Sequence, residues 1–511
     1  MFLRPILYVL VFFACCAIFA SARSRRVRQI TLLIASFALY FTWEPWFFAV
    51  LLASIIINFL FGKWLRRNPS ATILSIGILL NLALLSVFKY LPPAALSLPF
   101  SSLQRFAHLA MPLGISFWTF QAMSYLFDLY REEDLDPSLI EFALYMVFFP
   151  VTISGPICRM PDMLPQFRSR EPLARAAIAY GFRRIAIGFL MMQLAKMLGQ
   201  GILAGDGIAS GFDRITHWTG PDVWCLAFGY GLQLFFDFAG YSHIAIGAAQ
   251  ALGFTIPENF ERPFLSTTPS IFWTRWHMSL SFWIRDYVFL PLATWRREVW
   301  WRNLALVISM VVFGLWHKAT ILFLLWGCYH GILLVFHRLL QQLGRRFNTG
   351  FNNDSPAAPP SAIRSAFSLF AKWILTMALI NLGWIFFRAN STAQAHQMLV
   401  ALITPATYSS HFLTRSLYLL IIALAAGYAI VVLITDALDH STPTAVEIDV
   451  AQPEGARTTS AQPAANSGLI SLLARWRWFW IPPLYVLALL FVLIVTLSRG
   501  TSTAQLMYGN F

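Results

Sequence analysis

Residues 303–337 read NLALVISMVVFGLWHKATILFLLWGCYHGILLVFH. Two apolar runs, about 303–316 and 319–337, meet at His317-Lys318, and no acidic side chain enters either. A helix needs about 20 mostly apolar residues to cross the roughly 30 Å hydrocarbon core of a bilayer. The runs are continuous and lack period-two alternation, so they predict membrane helices and exclude a β-barrel. Comparable runs cover about 4–22, 30–62, 71–92, 111–130, 137–155, 178–203, 223–253, 366–388, 413–435 and 478–498. The 30–62 run is long enough for two helices broken near Glu44-Pro45. The 223–253 run is also long and carries Gly229, Gly231, Gly240 and Gly247. The expected fold is an all-α polytopic membrane protein with about 11–13 membrane helices or re-entrant elements.

The composition of the whole chain points the same way. Of 511 residues, 58% are hydrophobic and only 12% charged, against roughly 25% in soluble domains. Lys and Arg outnumber Asp and Glu by 37 to 23, a formal charge of +14. The arginines punctuate apolar runs instead of forming patches on a polar chain, which predicts a lipid partner with positive loops and no nucleic acid. Cys15, Cys16, Cys158, Cys225 and Cys328 lie mostly in apolar runs and predict buried thiols with no CxxC site.

The first span carries only Arg4 in front, whereas Arg23, Arg25, Arg26 and Arg28 follow it. A signal peptide has its positive charge in front, so we expect a retained span with a periplasmic N-terminus. The runs Arg159 to Arg184 and Arg262 to Arg302 both look cytoplasmic, which simple span counting delivers only with a re-entrant element. Polar stretches at 347–363 and 439–467 have connector composition. The expected division is N-terminal helices over 1–92, a core over 93–390, and peripheral helices over 391–511 that include the 439–467 loop.

Ionisable residues at membrane depth are costly and therefore candidates for function. The segment 262–302 interleaves Trp273, Trp276, Trp283, Trp295, Trp300 and Trp301 with Arg275, Arg285, Arg296, Arg297 and Arg302. Trp and Arg both favour the headgroup level, so an interfacial helix pair explains the aromatics. It does not explain His277 in their midst or the Arg285-Asp286 pair. The other reading is a basic, aromatic-walled vestibule for a large anionic donor such as a coenzyme A thioester. His317 ends one apolar run and His330 lies in the next; on one continuous helix they would face different ways. An imidazole suits proton removal from a hydroxyl at neutral pH, and His330 suits a structural hydrogen bond. Gln233, Asp237 and Tyr241 fall at i, i+4, i+8 on one helical face, where we read helix-to-helix contact for Asp237 before catalysis. No spacing resembles a metal motif, so no metal is expected. The HX4D spacing of His217 and Asp222 lacks the phosphate-binding blocks that accompany it in soluble acyltransferases.

Several blocks occur together in a fixed order: Leu113-Gly114-Ile115-Ser116-Phe117, Asp237-Phe238-Ala239-Gly240-Tyr241-Ser242, Trp276-His277-Met278-Ser279, Trp283-Ile284-Arg285-Asp286-Tyr287, Gly314-Leu315-Trp316-His317, Trp326-Gly327 with His330, and Trp384 with Phe386-Phe387-Arg388. Over about 30–390 the chain resembles the membrane-bound O-acyltransferases, and most of all their bacterial alginate/polysaccharide O-acetyltransferase branch. The resemblance implies an O-acyltransferase of the bacterial inner membrane whose spans surround a catalytic funnel. It puts the family's catalytic histidine at His317 and a second polar position at His277; in the vestibule reading above, Arg275, Trp276, Arg285, Asp286 and Tyr287 face the donor. It implies acetyl-CoA or another acyl thioester as donor, no bound cofactor, a cell-surface polysaccharide acceptor, and a periplasmic SGNH-type partner. The chain departs from the branch at His243, where an acidic residue is common, and at Lys318, which would put a positive charge beside His317. The alternative function is a non-catalytic transporter or flippase using the same polar residues as a pathway; the paired discontinuous halves common in transporters are not seen.

Overall fold

A computed structural model describes residues 3–22, 24–97, 104–131, 133–169, 171–201, 206–350 and 362–441. The regular structure of the described residues is helical, with no strand beyond a single bridge between Phe260 and Trp276. Among the described residues seven helices are long and apolar enough to cross a membrane, and the all-α polytopic expectation holds.

Helices α1 (Leu3–Ser21), α2 (Arg25–Phe41), α3 (Pro45–Arg67), α4 (Ala71–Lys89) and α5 (Leu91–Ser97) open the chain. The expected break at Glu44-Pro45 is present, with Pro45 as the first residue of α3, where its missing N–H costs nothing. Next come α6 (Ile115–Tyr130) and α7 (Leu139–Val147). The expected span at 137–155 is corrected here. Its helix is nine residues long, starts at a capping box between Ser138 and Glu141, and gives way to turns from Phe148 onward. Pro150 and Pro156 lack the N–H a continuing helix needs.

Helices α8 (Met160–Arg168), α9 (Arg175–Gln200) and α10 (Ile208–Arg214) lead into α11 (Gly220–Ala251). The glycines of α11 do not break it; they admit a neighbour. A Cβ on Gly188 would sit 2.4 Å from the Gly240 carbonyl oxygen, and one on Gly181 would sit 2.5 Å from that of Gly247. Backbones of α9 and α11 therefore touch directly, as small residues allow between membrane helices. Asp222 anchors the start of α11: its carboxylate accepts from the N–H groups of Phe412 and Leu413 and from the Tyr418 hydroxyl. That is a structural role for the acid of the HX4D spacing, and His217 is exposed.

From 263 to 295 the chain breaks into a 3-10 turn (Pro263–Leu265), α12 (Pro269–Arg275), α13 (Met278–Ile284), one π-helical turn (Arg285–Phe289) and α14 (Leu290–Trp295). None of these pieces is long enough to span. This stretch packs against α15 (Val299–His317) and α16 (Ile321–Gly350), followed by α17 (Ala362–Arg388), α18 (Thr392–Ile403) and α19 (Arg415–Ser441). Gly314 and Gly327 let α15 and α16 pack backbone to backbone; a Cβ on either would approach a carbonyl of the other helix within 2.5 Å. The expected span at 478–498 and nearly all of the 439–467 loop lie outside the described residues.

Ion pairs tie the helix ends with arginines to one face. Arg66, at the end of α3, pairs with Asp136. Arg25 of α2 and Arg168 of α8 both pair with Glu141, whose side chain is only 1% exposed.

Candidate active site

His277 occupies the corner between α12 and α13 with φ 44° and ψ 53°. A non-glycine residue in this left-handed region is uncommon and costs on the order of 1–3 kcal/mol, which the surroundings must supply. Asn259 does much of this. Its carbonyl oxygen accepts from Met278 N–H at 2.9 Å, and its side-chain oxygen accepts from the Ser279 hydroxyl at 2.6 Å. Its amide donates to Ser242 of α11 at 3.0 Å, while Ile157 N–H donates to Ser279 Oγ at 3.0 Å. Four segments thus fix the turn that drives a fully buried imidazole into the helix bundle.

His317 is the last residue of α15, and the chain turns over Lys318–Thr320 before α16 begins. This turn resolves the facing problem of the two histidines: α16 runs back alongside α15, and the Trp326 ring lies 5.9 Å from His317 and 4.9 Å from His330. Phe313, one turn before His317, stacks on its imidazole at 5.4 Å and meets the His277 ring at 6.5 Å. His277 and His317 therefore share one phenyl ring in the interior. His330 is fully buried among Trp273, Trp326 and Tyr329. Neither of its ring nitrogens has a hydrogen-bond partner among the described residues, so the hydrogen bond expected of it is not present there. Lys318 is exposed. The cation near His317 in space is Lys89, at the end of α4, whose Nζ lies 4.6 Å from the centroid of the neighbouring Trp316 ring.

A cavity of about 810 Å³ approaches this centre. Its walls are apolar, with Trp273, Phe282, Leu306, Met310 and Phe313, and its basic lining comes from Arg285, Arg338, Arg345 and Arg346. Phe313 thus separates the cavity from His317. The arginines expected to act together divide. Arg285 lines the cavity, Arg275 is half-buried elsewhere, and Arg296, Arg297 and Arg302 are exposed. Arg296 lies over the Trp295 and Trp301 rings, an arrangement suited to the headgroup level. Arg338, Arg345 and Arg346 were missed, although with Gln341 and Gln342 they recur at i, i+3, i+4, i+7, i+8 and mark one face of α16.

Asp286 and Tyr287 support the cavity from behind. Arg159 and Arg285 each donate to the Asp286 carboxylate at 2.6 Å, and Arg131 donates to its backbone carbonyl at 2.7 Å. Burial works against the charge on Asp286, but the hydrogen bonds from Arg285 and Arg159 hold its carboxyl below the usual range. The Tyr287 hydroxyl donates to Asp128 at 2.7 Å. These bonds fix the π-helical turn, a feature frequent at functional sites. Trp276 is buried in an aromatic cluster, stacked on Phe272 and 5.1 Å from Trp384. On α11, Gln233 packs against Gly199 of α9 and Asp237 is 9% exposed, with Tyr241 half-buried on the same face. Among the described residues no three His, Cys, Asp or Glu side chains converge as a metal set would require.

A family model for the MBOAT, membrane-bound O-acyltransferase family, matches residues 70–380. The chain belongs to this family. The MBOAT match runs from α4 through most of α17 and takes in both histidine-bearing corners and the cavity. The chain is 32% identical to the probable alginate O-acetylase AlgI of Pseudomonas aeruginosa over 406 residues, covering 76% of this chain and 72% of that protein. It is 29% identical to the peptidoglycan O-acetyltransferase of Helicobacter pylori over 421 residues, or 75% of each chain. A shorter match, 32% over 250 residues, relates it to the teichoic acid D-alanyltransferase of Bacillus subtilis, with 46% of this chain and 61% of that one covered. The protein is therefore a multi-pass membrane O-acyltransferase that draws on an acyl donor.

Proposed function

We propose that this MBOAT protein moves an acetyl group from a cytoplasmic thioester, acetyl-CoA in the simplest case, toward hydroxyls of a cell-surface polysaccharide. The observation that carries the reading is the cavity with four arginines in its lining and an apolar wall ending at Phe313, whose ring stacks on His317. Phosphates and a pantetheine arm need that combination of charge and apolar wall. His317 takes the proton of the acceptor hydroxyl as its oxygen bonds to the thioester carbonyl carbon. The tetrahedral oxyanion then collapses, the carbon–sulfur bond breaks, and the thiolate recovers the proton from the imidazolium. Hydroxyl and thioester become ester and thiol. His277 orients the acceptor hydroxyl, while Asp286 and Tyr287 hold Arg285 toward the donor. The catalytic core is assigned to 93–390, between helices over 1–92 and a peripheral part over 391–511. The protein resides in the bacterial inner membrane, and an SGNH-type partner in the periplasm completes delivery to the polysaccharide.

The test uses membrane vesicles from cells making the full chain, supplied with radiolabelled acetyl-CoA, with alkali-labile label in envelope material counted. General-base contributions are typically about 10²–10⁴ in rate, so His317→Ala and His317→Asn are expected to fall below detection at near-normal abundance. Retention of more than about a tenth of wild-type transfer would transfer the role of base to His277. Label that crosses the membrane without forming ester would favour a transporter.

A further inference from the structure

A lysine at a membrane helix end normally extends its charge toward water. Lys89 does the reverse. It is the last residue of α4, yet its ammonium is buried 4.6 Å above the centroid of the Trp316 ring, the residue before His317. Its Nζ has no hydrogen-bond partner among the described residues. The next residue, Tyr90, donates from its hydroxyl to the Leu315 carbonyl at 3.2 Å and pins the end of α4 to the last turn of α15. Trp316 and His317 have ring centroids 4.6 Å apart, so the Lys89 ammonium lies one aromatic ring from the His317 imidazole.

The direction of approach is informative. Helix α3 ends in Arg66 and Arg67, α4 runs back from that face, and Lys89 closes its far end. Helix α15 likewise runs from Arg302 to His317, and α16 returns to Arg345 and Arg346. Lys89 therefore meets His317 from the end of the bundle opposite the basic cavity lining. Burying an ammonium without hydrogen bonds costs several kcal/mol unless negative charge compensates it. A cation–π contact offsets only about 2 kcal/mol of that. Helix-end electrostatics would explain a lysine at this position, but not its burial against the residue before the proposed base.

We infer that Lys89 serves acyl transfer, its ammonium stabilising the oxyanion formed beside His317. The inference rests on the acyl-transfer reading above. When the acceptor oxygen bonds to the thioester carbon, the carbonyl pair moves onto oxygen. A preorganised cation in a water-poor site opposes that charge with little reorganisation. The charge is absent from the ground state, so the benefit falls on kcat and leaves donor binding alone.

The vesicle assay with radiolabelled acetyl-CoA tests this on Lys89→Met and Lys89→Arg, with His317→Ala as the reference. Losing one oxyanion-stabilising group costs about 10²–10³ in kcat. Lys89→Met is expected to fall by about 10² with KM for acetyl-CoA unchanged, and Lys89→Arg to recover at least about a tenth of wild-type kcat by restoring the charge. If Lys89→Met keeps more than half of wild-type kcat while His317→Ala is inactive, the role of Lys89 is overturned and the acyl-transfer reading stands. If both lysine variants lose activity only in step with abundance or thermal stability, Lys89 is a packing residue and the inference fails. If His317→Ala remains active, the underlying reading fails and takes this role with it.

Discussion

Phe313 stacks on His317 with ring centroids 5.4 Å apart and planes 20° from parallel. The same ring forms part of the wall of the arginine-lined cavity, so one phenyl group both packs the imidazole and closes the apolar end of the cavity proposed to take the donor. Phe313→Leu keeps an apolar wall but removes the flat surface that fixes the ring plane of His317. We expect kcat for acetyl transfer to fall about tenfold, since loss of orientation alone costs this much or more. The melting temperature of the purified protein should drop only slightly, as an apolar swap of this kind costs about 1–2 kcal/mol. Initial rates and a thermal melt on the same preparation check both.

The arginines make two groups with different outcomes. Arg338 and Arg346 line the cavity, whereas Arg296 and Arg297 are exposed beside Trp295. Replacing Arg338 and Arg346 together by Gln should raise KM for acetyl-CoA by about tenfold or more, at nearly constant kcat, because contacts to remote phosphates bind ground and transition states alike. Arg296→Gln with Arg297→Gln should leave both parameters unchanged. Equal KM effects from the two pairs would mean that charge is sensed only as a general surface field.

How far the sequence revealed this arrangement can be argued from single residues. Solvent and fold class were legible, because long apolar runs are a strong signal, and ionisable residues inside such runs picked out His277 and His317, which the fold brings to either side of Phe313. The residues 137–155 misled because apolar content does not reveal where Pro150 and Pro156 end a helix. Arg338, Arg345 and Arg346 were readable as a helical face but lay beyond the run taken as a span. Lys89, near the end of the apolar run 71–92, was readable only as a lysine at a helix end. Its significance depends on α4 returning to the end of α15, a contact between residues 227 positions apart along the chain, and pairing at that distance cannot be read from spacing.

Glu141 gives a pH prediction outside the membrane-spanning helices. Burial raises the cost of its charge, but hydrogen bonds from Arg168 and from the Ser138 backbone and hydroxyl hold its carboxyl at about 2, against an ordinary 4.5. A folded-state value below the unfolded one gives stability that is complete above about 4.5 and lost as pH falls toward 2. Glu141→Gln should therefore lower the melting temperature by a few degrees at neutral pH. The gap from wild type should narrow below pH 4.5 and close near pH 2. A gap independent of pH would show that the residue acts by shape and capping, with no contribution from its charge.

His330 separates packing from chemistry. Its ring is fully buried, 5.1 Å from Trp273 and 4.9 Å from Trp326, and its Nε2 lies where a Cβ on Gly383 would be. With no hydrogen-bond partner among the described residues for either nitrogen, the imidazole serves there as a flat filler whose polar atoms are a cost. His330→Ala removes that filler and should destabilise the detergent-solubilised protein by about 2–4 kcal/mol through the cavity left behind. His330→Leu restores apolar volume without polar atoms, so thermal stability should return to wild type or above it, and vesicle acetylation should return with it. Fluorescence-detected size exclusion after heating, run beside the acetyl-transfer assay, reads both. If His330→Leu is stable and abundant yet transfers less than about a tenth of wild-type label, a loss within the range of acid–base catalysis, then His330 takes part in the chemistry and the site must be enlarged to three histidines.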